Sequence, residues 1–413
     1  MKAAVSFVSL AWLSLVPTEF VLAASSPPTH STCSPPGLRP APGQLCSLEE
    51  GPEFAYDDSL WTHDVQCFYT TSNQESKLCL YTDANFKFGR GISIFTRPSI
   101  AANITGQYKF RHPEQLPEFL SPPAQPPYEQ VELPGRGVGL FANRTIQRGE
   151  VIFVDTSVIL LAREAQSSLP RSTIKKILWR ALEQLPEPTQ DMVFNLHRQT
   201  GGDAMADIMQ TNGLGQVIGD GIRHLAIVPD AARINHDCRP NAYYRFDDKT
   251  MELSIIALRD IKSGEELTFT YIDPELPRDE RRERLQKSWG FECSCSLCGA
   301  SGDVVVGSDN RLELIKNTRK QMVEAASKPF ELINHLEKLI DLYDQEGLHA
   351  SKPRFYEIAA YTYSQLGDDK RALEHGKLAV EYWSAIAGKG SGEARRMREF
   401  VKDPKSHPSW RSA

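Results

Sequence analysis

The sequence predicts an α+β protein in which a β-rich middle domain is followed by a helical carboxyl-terminal domain. Short apolar and β-branched runs at 151–154, 222–228 and 253–258 indicate strands in the middle of the chain. Beyond Gly307, apolar residues recur at helical spacing. Closely spaced cysteines lie between these two parts and predict a metal site at their junction.

The composition is that of an ordinary globular protein with two or three domains. The chain has 413 residues, of which 40% are hydrophobic and 24% are charged. These values exclude collagen-like, low-complexity and mostly disordered chains. The 47 Lys and Arg against 53 Asp and Glu give a formal net charge of −6. Nucleic-acid binding needs clustered positive charge, so we expect no direct nucleic-acid ligand.

Residues 1–24 have the pattern of a secretory signal peptide. Lys2 precedes an apolar run that extends to Val16, and small residues close the segment. The alternative is a membrane anchor, but Pro17 and Glu19 keep the run below the ~20 residues that span a bilayer. We therefore expect no membrane span. The protein would enter the secretory pathway if the signal is used, and would otherwise reside in the cytoplasm or nucleus.

Residues 25–126 are rich in Pro and Ser and contain four cysteines. Successive cysteines are 13, 21 and 12 positions apart, which is not the spacing of a C-x-x-C metal pair. In a secreted protein they would form two disulfides, with three connectivities left open. The proline cluster at 121–127 favours an extended linker, and we place a domain boundary there. The four cysteines are Cys33, Cys46, Cys67 and Cys79.

The middle domain is expected at residues 127–273, with a helical insert at about 160–215. Within the insert, residues 172–185 place apolar side chains at helical spacing, which predicts one stripe facing the core. Residues 274–300 contain a second helix, at 278–289, and then the cysteine cluster. The stripe comprises Ile174, Ile177, Leu178, Ala181, Leu182 and Leu185.

The carboxyl-terminal domain, residues 307–388, is expected to be helical. Segments 355–367 and 372–382 are similar to one tetratricopeptide-type helix pair. A single pair cannot bury both of its faces, so we expect these helices to pack on the preceding domain. Residues 389–413 are polar and Gly-rich, and we expect a loose tail. One apolar face is formed by Leu332, Leu336, Leu339, Ile340 and Tyr343.

Four cysteines predict a structural zinc (Zn2+) site: Cys238, Cys293, Cys295 and Cys298. Three closely spaced thiols and one distant thiol supply the ligands of a closed tetrahedral site, which leaves no position for a reacting water. The alternative is reactive or disulfide-bonded thiols. The C-x-C-x-x-C spacing makes poor disulfide partners and good chelators, which favours zinc.

Four motifs, in this order, resemble those of the SET-domain protein lysine methyltransferases. They are Gly135-Arg-Gly-Val-Gly-Leu-Phe-Ala142, Asn235-His-Asp-Cys-Arg-Pro-Asn241, Glu265-Glu-Leu-Thr-Phe-Thr-Tyr271 and the C-x-C-x-x-C cluster. Each motif alone is weak, but the ordered set is highly specific. The resemblance covers about residues 128–300 and looks closest to the SET-and-MYND subgroup. The MYND zinc finger of that subgroup is missing, because no cysteine occurs between Cys79 and Cys238.

The resemblance implies a β-rich SET domain that uses S-adenosylmethionine. In the family, a glycine loop cradles this methyl donor, an Asn-His pair holds it, and an aromatic ring packs on its adenine. Taken alone, a Gly-x-Gly is also a tight turn, an Asn-His pair also an Asx turn beside a buried histidine, and the aromatic ring also plain core. The matching positions here are Arg136, Gly137, Val138, Gly139, Asn235, His236, Tyr271 and Phe291.

Tyr271 is the expected catalytic residue. The strand period of two in residues 266–271 places Leu267, Phe269 and Tyr271 on one face, so that the phenol points inward. A buried phenol needs a hydrogen-bond partner. In the resembling family, the matching tyrosine directs its hydroxyl at the reacting centre.

The sequence therefore predicts a protein-lysine N-methyltransferase that acts as a monomer on a protein substrate presenting a lysine. The alternative is a secreted or lumenal binding protein that keeps the SET fold without turnover. The presence of the expected catalytic and donor-binding residues favours the enzyme. An oxidising lumen, however, would threaten a four-thiolate zinc site. Tyr243 and Tyr244 either line the lysine channel or belong to the core.

Overall fold

The computed structural model describes residues 46–47, 60–70, 76–112, 125–219 and 221–412. The expected signal peptide and Cys33 lie outside these residues, as does the side chain of Cys46. Within the described ranges, no helix combines the length and apolar character that a membrane crossing requires.

The largest sheet has seven strands among the described residues. β4 (Ile92–Thr96) and β8 (Ile159–Ala162) run parallel, with Ile94 opposite Leu160, and every other neighbouring pair is antiparallel. In spatial order, with strands numbered along the chain, they are β1 (Cys46–Ser47), β2 (Gln66–Tyr69), β3 (Lys77–Asp83), β4 (Ile92–Thr96), β8 (Ile159–Ala162), β10 (Ile222–Ile227) and β9 (Leu214–Ile218).

This sheet contradicts the domain boundary expected at residues 121–127. β4 precedes the proline cluster and β8 follows it, yet the two strands are hydrogen-bonded neighbours. One apolar cluster contains Tyr81 and Ile94 from the first side of the prolines and Leu160 and Ile255 from the other. The described residues on the two sides of the proline cluster therefore belong to one folded unit, and local composition did not reveal the long-range strand pairing.

Three smaller sheets complete the β-structure of the described residues. β5 (Tyr128–Leu133) and β6 (Gly137–Ala142) form a hairpin. A three-stranded sheet has the order β12 (Ala242–Asp247), β13 (Glu252–Ala257) and β7 (Val151–Thr156). β11 (Asn235–His236) pairs in parallel with β14 (Thr268–Phe269). The strands predicted at 151–154, 222–228 and 253–258 are confirmed as β7, β10 and β13, whereas β14 ends two residues before Tyr271.

The helical insert covers the large sheet. The predicted helix at 172–185 is confirmed, and its stripe packs on Phe95 of β4 and Leu161 of β8. In the part of the chain that the structure describes, three short helices also precede the proline cluster. In chain order these helices are α1 (Phe86–Gly89), α2 (Pro98–Gly106), α3 (Tyr108–Arg111), α4 (Ala165–Ser168), α5 (Arg171–Glu183), α6 (Glu187–Phe194) and α7 (Ala204–Asn212).

The carboxyl-terminal region is helical, as predicted, and builds a core of its own. The helix predicted at 278–289 is confirmed, and the two segments expected to form a tetratricopeptide-type pair are neighbouring helices, α11 (Pro353–Gln365) and α12 (Asp369–Ile386). This unit contacts the middle of the chain, where Arg148 Nη1 donates to Tyr382 Oη at 2.9 Å. The helices are α8 (Arg278–Trp289), α9 (Gly302–Glu324), α10 (Pro329–Gln345), α11 (Pro353–Gln365), α12 (Asp369–Ile386) and α13 (Gly392–Lys402).

The loose tail expected at residues 389–413 is wrong, because α13 packs on the helical unit. Met397 and Phe400 are buried in the carboxyl-terminal core. A Cβ on Gly376 of α12 would lie 2.9 Å from the Val401 side chain, so the glycine permits this close approach. The polar composition concealed an amphipathic helix with one narrow apolar face.

Candidate functional site

The parallel pair of β11 and β14 brings the second and third sequence motifs together. Asn235 lies opposite Thr268 and His236 opposite Phe269. The Asn241 side chain closes the junction, because its Nδ2 donates to the Glu266 carbonyl at 2.8 Å and its Oδ1 accepts the Thr268 N–H at 2.9 Å. The terminal asparagine of the Asn-His motif is therefore a clamp between two backbones.

The glycine loop lies against the same junction. Gly137 follows the turn of the β5–β6 hairpin and has φ +71°, a conformation that side chains rarely adopt. A Cβ on Gly139 would lie 2.8 Å from Glu266 Oε1 and 3.2 Å from Asn235 Nδ2. Gly139 is thus required for close packing, and the first motif joins the other two.

Glu266 links these three motifs, and sequence reasoning did not assign it a role. Its Oε1 accepts a hydrogen bond from Asn235 Nδ2 at 2.9 Å, and its Oε2 lies 3.0 Å from Arg136 Nη2. The available signal was its position inside the motif Glu265–Tyr271. Arg136 pairs with this carboxylate of the same chain. The Arg136 side chain is 48% exposed, whereas that of Glu266 is 15% exposed.

Tyr271 is held by two hydrogen bonds beside His236. Its hydroxyl donates to the Ile234 carbonyl at 2.8 Å, and its backbone N–H donates to His236 Nδ1 at 3.0 Å. Burial, together with the charge of Glu266, raises the pKa of the Tyr271 phenol, which is therefore neutral at physiological pH. The expectation that the buried phenol has a hydrogen-bond partner is confirmed.

His236 is a neutral imidazole in this arrangement. Burial lowers the pKa of His236 to about 4. Because Nδ1 accepts the Tyr271 N–H, the proton is on Nε2, which lies 3.4 Å from Cys238 Sγ. The histidine thus connects Tyr271 on one side to the cysteine cluster on the other.

Two aromatic rings from the end of α8 complete the site. The Trp289 ring centroid lies 5.4 Å from that of Tyr271, and Phe291 lies 6.1 Å from His236. Between them, Gly290 ends the helix in the left-handed conformation at φ +70°, which turns the chain back toward the histidine. Trp289 had been recognised only as the end of a helix, and its Nε1 donates to the Thr211 carbonyl at 2.9 Å.

The four predicted cysteine ligands lie together as free thiols. All four Sγ atoms are within 4.8 Å of one another, and Cys238 Sγ lies 3.9 Å from Cys293 Sγ and 3.5 Å from Cys298 Sγ. In a tetrahedral zinc site with Zn–S bonds of about 2.3 Å, neighbouring sulfurs are about 3.8 Å apart. The thiols are therefore spaced as a zinc ion requires.

A buried cation faces the cysteine cluster. Arg281 of α8 is fully buried, and its Nη2 lies 4.0 Å from Cys298 Sγ. A buried guanidinium is stable only beside negative charge or strong acceptors. Four thiolates around Zn2+ carry a net charge of −2, and Arg281 would offset part of it. The donor set and its surroundings both fit zinc.

The remaining tyrosine pair lies beside β14. The rings of Tyr243 and Tyr244 are stacked with centroids 5.9 Å apart, and Tyr244 meets Phe269 edge-on at 5.6 Å. Tyr243 is 36% exposed, so it forms part of the surface next to the site. Whether this pair lines a lysine channel or belongs to the core stays a prediction.

Comparison with known proteins supports the motif assignment. Residues 137–272 match the family model described as the SET domain. The chain is 26% identical over 293 residues to a histone-lysine N-methyltransferase set5 of Schizosaccharomyces pombe, covering 68% of this chain and 85% of that protein.

Two further relatives share shorter stretches. A histone-lysine N-methyltransferase SET5 of Yarrowia lipolytica is 34% identical over 139 residues, covering 33% of this chain and 29% of that protein. A SET and MYND domain-containing protein of Dictyostelium discoideum is 37% identical over 79 residues, covering 19% of this chain and 15% of that protein. The chain thus spans most of the first relative but under a third of the other two.

Proposed function

We propose that this chain is a SET-domain protein lysine methyltransferase that transfers the methyl group of S-adenosylmethionine to the ε-amine of a lysine in a protein substrate. The observation that carries this proposal is the single hydrogen-bonded unit formed by Glu266, Asn235, His236 and Tyr271. Two motifs that are far apart in the sequence meet in it, and the glycine loop of a third packs against it.

The proposed donor site suits a small zwitterion attached to an aromatic base. Arg136 and Glu266 place one positive and one negative group side by side, which matches the amino-acid end of S-adenosylmethionine. The half-exposed guanidinium of Arg136 retains donors for a carboxylate. Phe291 offers a partly buried ring for stacking on a base.

The remaining donor-site assignments rest on backbone geometry. The strand through Gly137, Val138 and Gly139 lacks bulky side chains at its two glycines, so a ligand can approach its backbone closely. Asn235 and His236 are held rigidly by β14 and offer an amide and a neutral imidazole. These groups bind and orient a ligand rather than react with it.

The proposed role of Tyr271 is to orient the reacting centre. When bound, S-adenosylmethionine supplies an electrophilic methyl group on a sulfonium. A neutral phenol fixed at both its hydroxyl and its backbone N–H provides a rigid dipole there without ionising. The neighbouring rings of His236 and Trp289 exclude water from the phenol.

We further propose that Cys238, Cys293, Cys295 and Cys298 hold one structural Zn2+. The ion would tie the Asn-His segment to the segment that carries Phe291, and thereby fix two walls of the donor site. Four thiolate ligands leave no open position, so the metal would supply folding energy and no chemistry.

The substrate class that we propose is a histone lysine. The relatives from Schizosaccharomyces pombe and Yarrowia lipolytica are named histone-lysine N-methyltransferases. The proposed chemistry requires a neutral lysine amine aligned with the donor methyl, and the surface beside Tyr243 and Tyr244 is where we expect the lysine to enter.

Tyr271→Phe tests this function directly. The change removes one hydroxyl and keeps the ring, so the variant should fold and should still bind S-adenosylmethionine by calorimetry. Methyl transfer to a histone mixture should fall by roughly 100-fold or more, as expected when one positioned polar group at a reacting centre is lost. His236→Ala should instead weaken donor binding first.

Tyr361→Phe is the matched control, because it removes a hydrogen-bonded hydroxyl from the helical unit, where Tyr361 donates to Glu357 at 3.2 Å. Its transfer rate should equal that of the wild type. Wild-type protein that binds no S-adenosylmethionine would refute the proposed function. Full transfer by Tyr271→Phe would refute only the role of the phenol.

A further inference from the structure

One guanidinium of the site is held by the helical unit. Arg239 directly follows Cys238, and its Nη1 donates to the Cys238 carbonyl at 2.7 Å and to the Pro274 carbonyl at 2.9 Å. Its Nη2 donates to the Glu346 carboxylate, which lies just beyond the end of α10. Arg239 therefore cross-links the chain after β11 to the chain after Tyr271, and Glu346 holds Arg239 in that position.

Glu346 is buried together with its partners. Its side chain is 1% exposed, and it also accepts hydrogen bonds from Arg311 Nε at 2.6 Å and Ser308 Oγ at 2.8 Å. Burial alone would raise the pKa of Glu346, but the hydrogen bonds from Arg239 and Ser308 outweigh burial and lower it. The carboxylate is thus ionised and fully hydrogen-bonded, and among the described residues Arg239 is its hydrogen-bonded contact to the site.

A second contact supports the same segment. Glu275 follows Tyr271 by four residues and accepts a hydrogen bond from the Tyr343 hydroxyl of α10 at 3.1 Å, and it pairs with Arg319 of α9. Both chain segments of the β11–β14 junction are therefore attached to α9 and α10. The contact of Arg148 with Glu381 and Tyr382 joins the helical unit to a different part of the chain.

We propose that Glu346 is a positioning residue for the methyl-donor site and acts through Arg239 on the segment Asn235–Cys238. The identity of the ligand in this inference rests on the proposed function. The ordering of the segment Asn235–Cys238 by Glu346 does not depend on it. Removal of the carboxylate leaves a buried guanidinium without its counter-charge, so Arg239 must turn toward water and release the two carbonyls. The Asn-His segment then loses the hydrogen-bonded link that Arg239 makes to the end of α10.

The test compares Glu346→Gln with Arg311→Gln. Both variants remove one partner of the same buried ion cluster, so both should lower the melting temperature, but Arg311 belongs to α9 and does not touch the site. In the zinc-loaded protein without donor, Glu346→Gln should speed amide hydrogen exchange in residues 234–240, and Arg311→Gln should not. The dissociation constant of the Glu346→Gln variant for S-adenosylmethionine should rise about 10-fold, equivalent to about 1.4 kcal/mol.

Glu381→Gln is the second control, because it breaks a contact between the helical unit and the Arg148 turn. It should leave exchange at 234–240 and donor affinity unchanged. If Glu346→Gln does not fold, Arg239→Lys replaces it, since a lysine keeps the charge but lacks the planar fork whose two nitrogens reach the carbonyls and the carboxylate at once.

Wild-type exchange and wild-type donor affinity in the folded Glu346→Gln or Arg239→Lys variant would overturn the positioning role and leave a structural one. Slower transfer with unchanged affinity and exchange would also overturn it. If the wild type itself binds no S-adenosylmethionine, the proposed function fails, while the exchange comparison still decides whether Glu346 orders the segment.

Discussion

The protein uses cysteine in two opposite ways. Cys67 and Cys79 lie directly opposite each other on β2 and β3 and form a disulfide with a Cα–Cα distance of 4.0 Å. Cys238, Cys293, Cys295 and Cys298 instead bring four free thiols within 4.8 Å of one another. Cross-strand neighbours suit a single bond, whereas a convergent set suits a metal.

The two cross-links also differ in what they hold. The disulfide joins residues 12 apart within one hairpin of the large sheet. The thiol cluster joins residues 55 apart and connects the Asn-His segment to the segment of Phe291. Damage to the first should therefore be local, whereas damage to the second should reach the site.

The difference bears on the compartment as well. A disulfide persists in an oxidising compartment, where four free thiols would need a bound metal to remain unpaired. Of the two disulfides expected in the N-terminal region, Cys67–Cys79 is the one that the described residues contain. A second disulfide, which would involve Cys33 and Cys46, stays a prediction.

The largest effect is expected from Cys295→Ser. Loss of one ligand should release zinc and lower the free energy of unfolding by several kcal/mol, because structural zinc contributes on the order of 10 kcal/mol to folding. Elemental analysis and denaturant unfolding measure both quantities. Well-folded wild type without zinc would contradict the metal assignment.

The paired change Cys67→Ala and Cys79→Ala should have a smaller and purely local effect. Opening a loop of this length should cost roughly 3 kcal/mol of stability. Zinc content and affinity for S-adenosylmethionine should stay at wild-type values. If either falls with the disulfide, the two cysteine sets are coupled and the contrast between them is false.

Gly139→Ala adds a single methyl group to the site that the thiol cluster ties together, and so tests that half of the comparison. The new Cβ would lie 2.8 Å from Glu266 Oε1, so we expect a stability loss of about 1–3 kcal/mol and weaker donor binding. Gly106→Ala is the control, because its Cβ meets nothing within 4 Å. Equal behaviour of the two variants in calorimetry would show that Gly139 does not pack the site.

A weak pH dependence of stability is expected from His224, which lies on β10 of the same large sheet as the disulfide. Burial lowers the pKa of His224 to about 4, and its Nε2 lies 2.9 Å from Thr96 Oγ1. The unfolded chain binds this proton first, so stability is complete above the unfolded pKa of about 6.5 and is lost as the pH falls toward 4. Between about pH 7 and pH 6 the loss should be less than about 1 kcal/mol.

His224→Gln should reduce this slope in urea unfolding measured across that pH interval, and the contribution of His236, whose pKa burial also lowers to about 4, should remain. An unchanged slope would assign the pH dependence to other groups.

Local patterns predicted most of what depends on neighbouring residues. Three features depend on residues close together in the sequence: the apolar stripe of α5, the helix α8 and the C-x-C-x-x-C spacing. Each was confirmed. The pairing of β4 with β8 was missed because it depends on register between strands far apart in sequence.

The site divides in the same way. The motifs identified His236 and Tyr271 as candidate site residues. In the structure a hydrogen bond joins the two residues. Glu266 was missed because its importance appears only when Asn235, Gly139 and Arg136 converge on one carboxylate. Trp289 was missed for the same reason, since its ring meets Tyr271 only when α8 folds back against the chain that follows β14.

The central claim is that the site tied together by the thiol cluster methylates lysine. The most direct test is to incubate the zinc-loaded protein with methyl-labelled S-adenosylmethionine and core histones, and to locate the label by mass spectrometry. We predict label on lysine ε-amines in the wild type and in the Cys67→Ala, Cys79→Ala protein, and roughly 100-fold less with Tyr271→Phe. Bound donor with no labelled lysine from the wild type would contradict the claim.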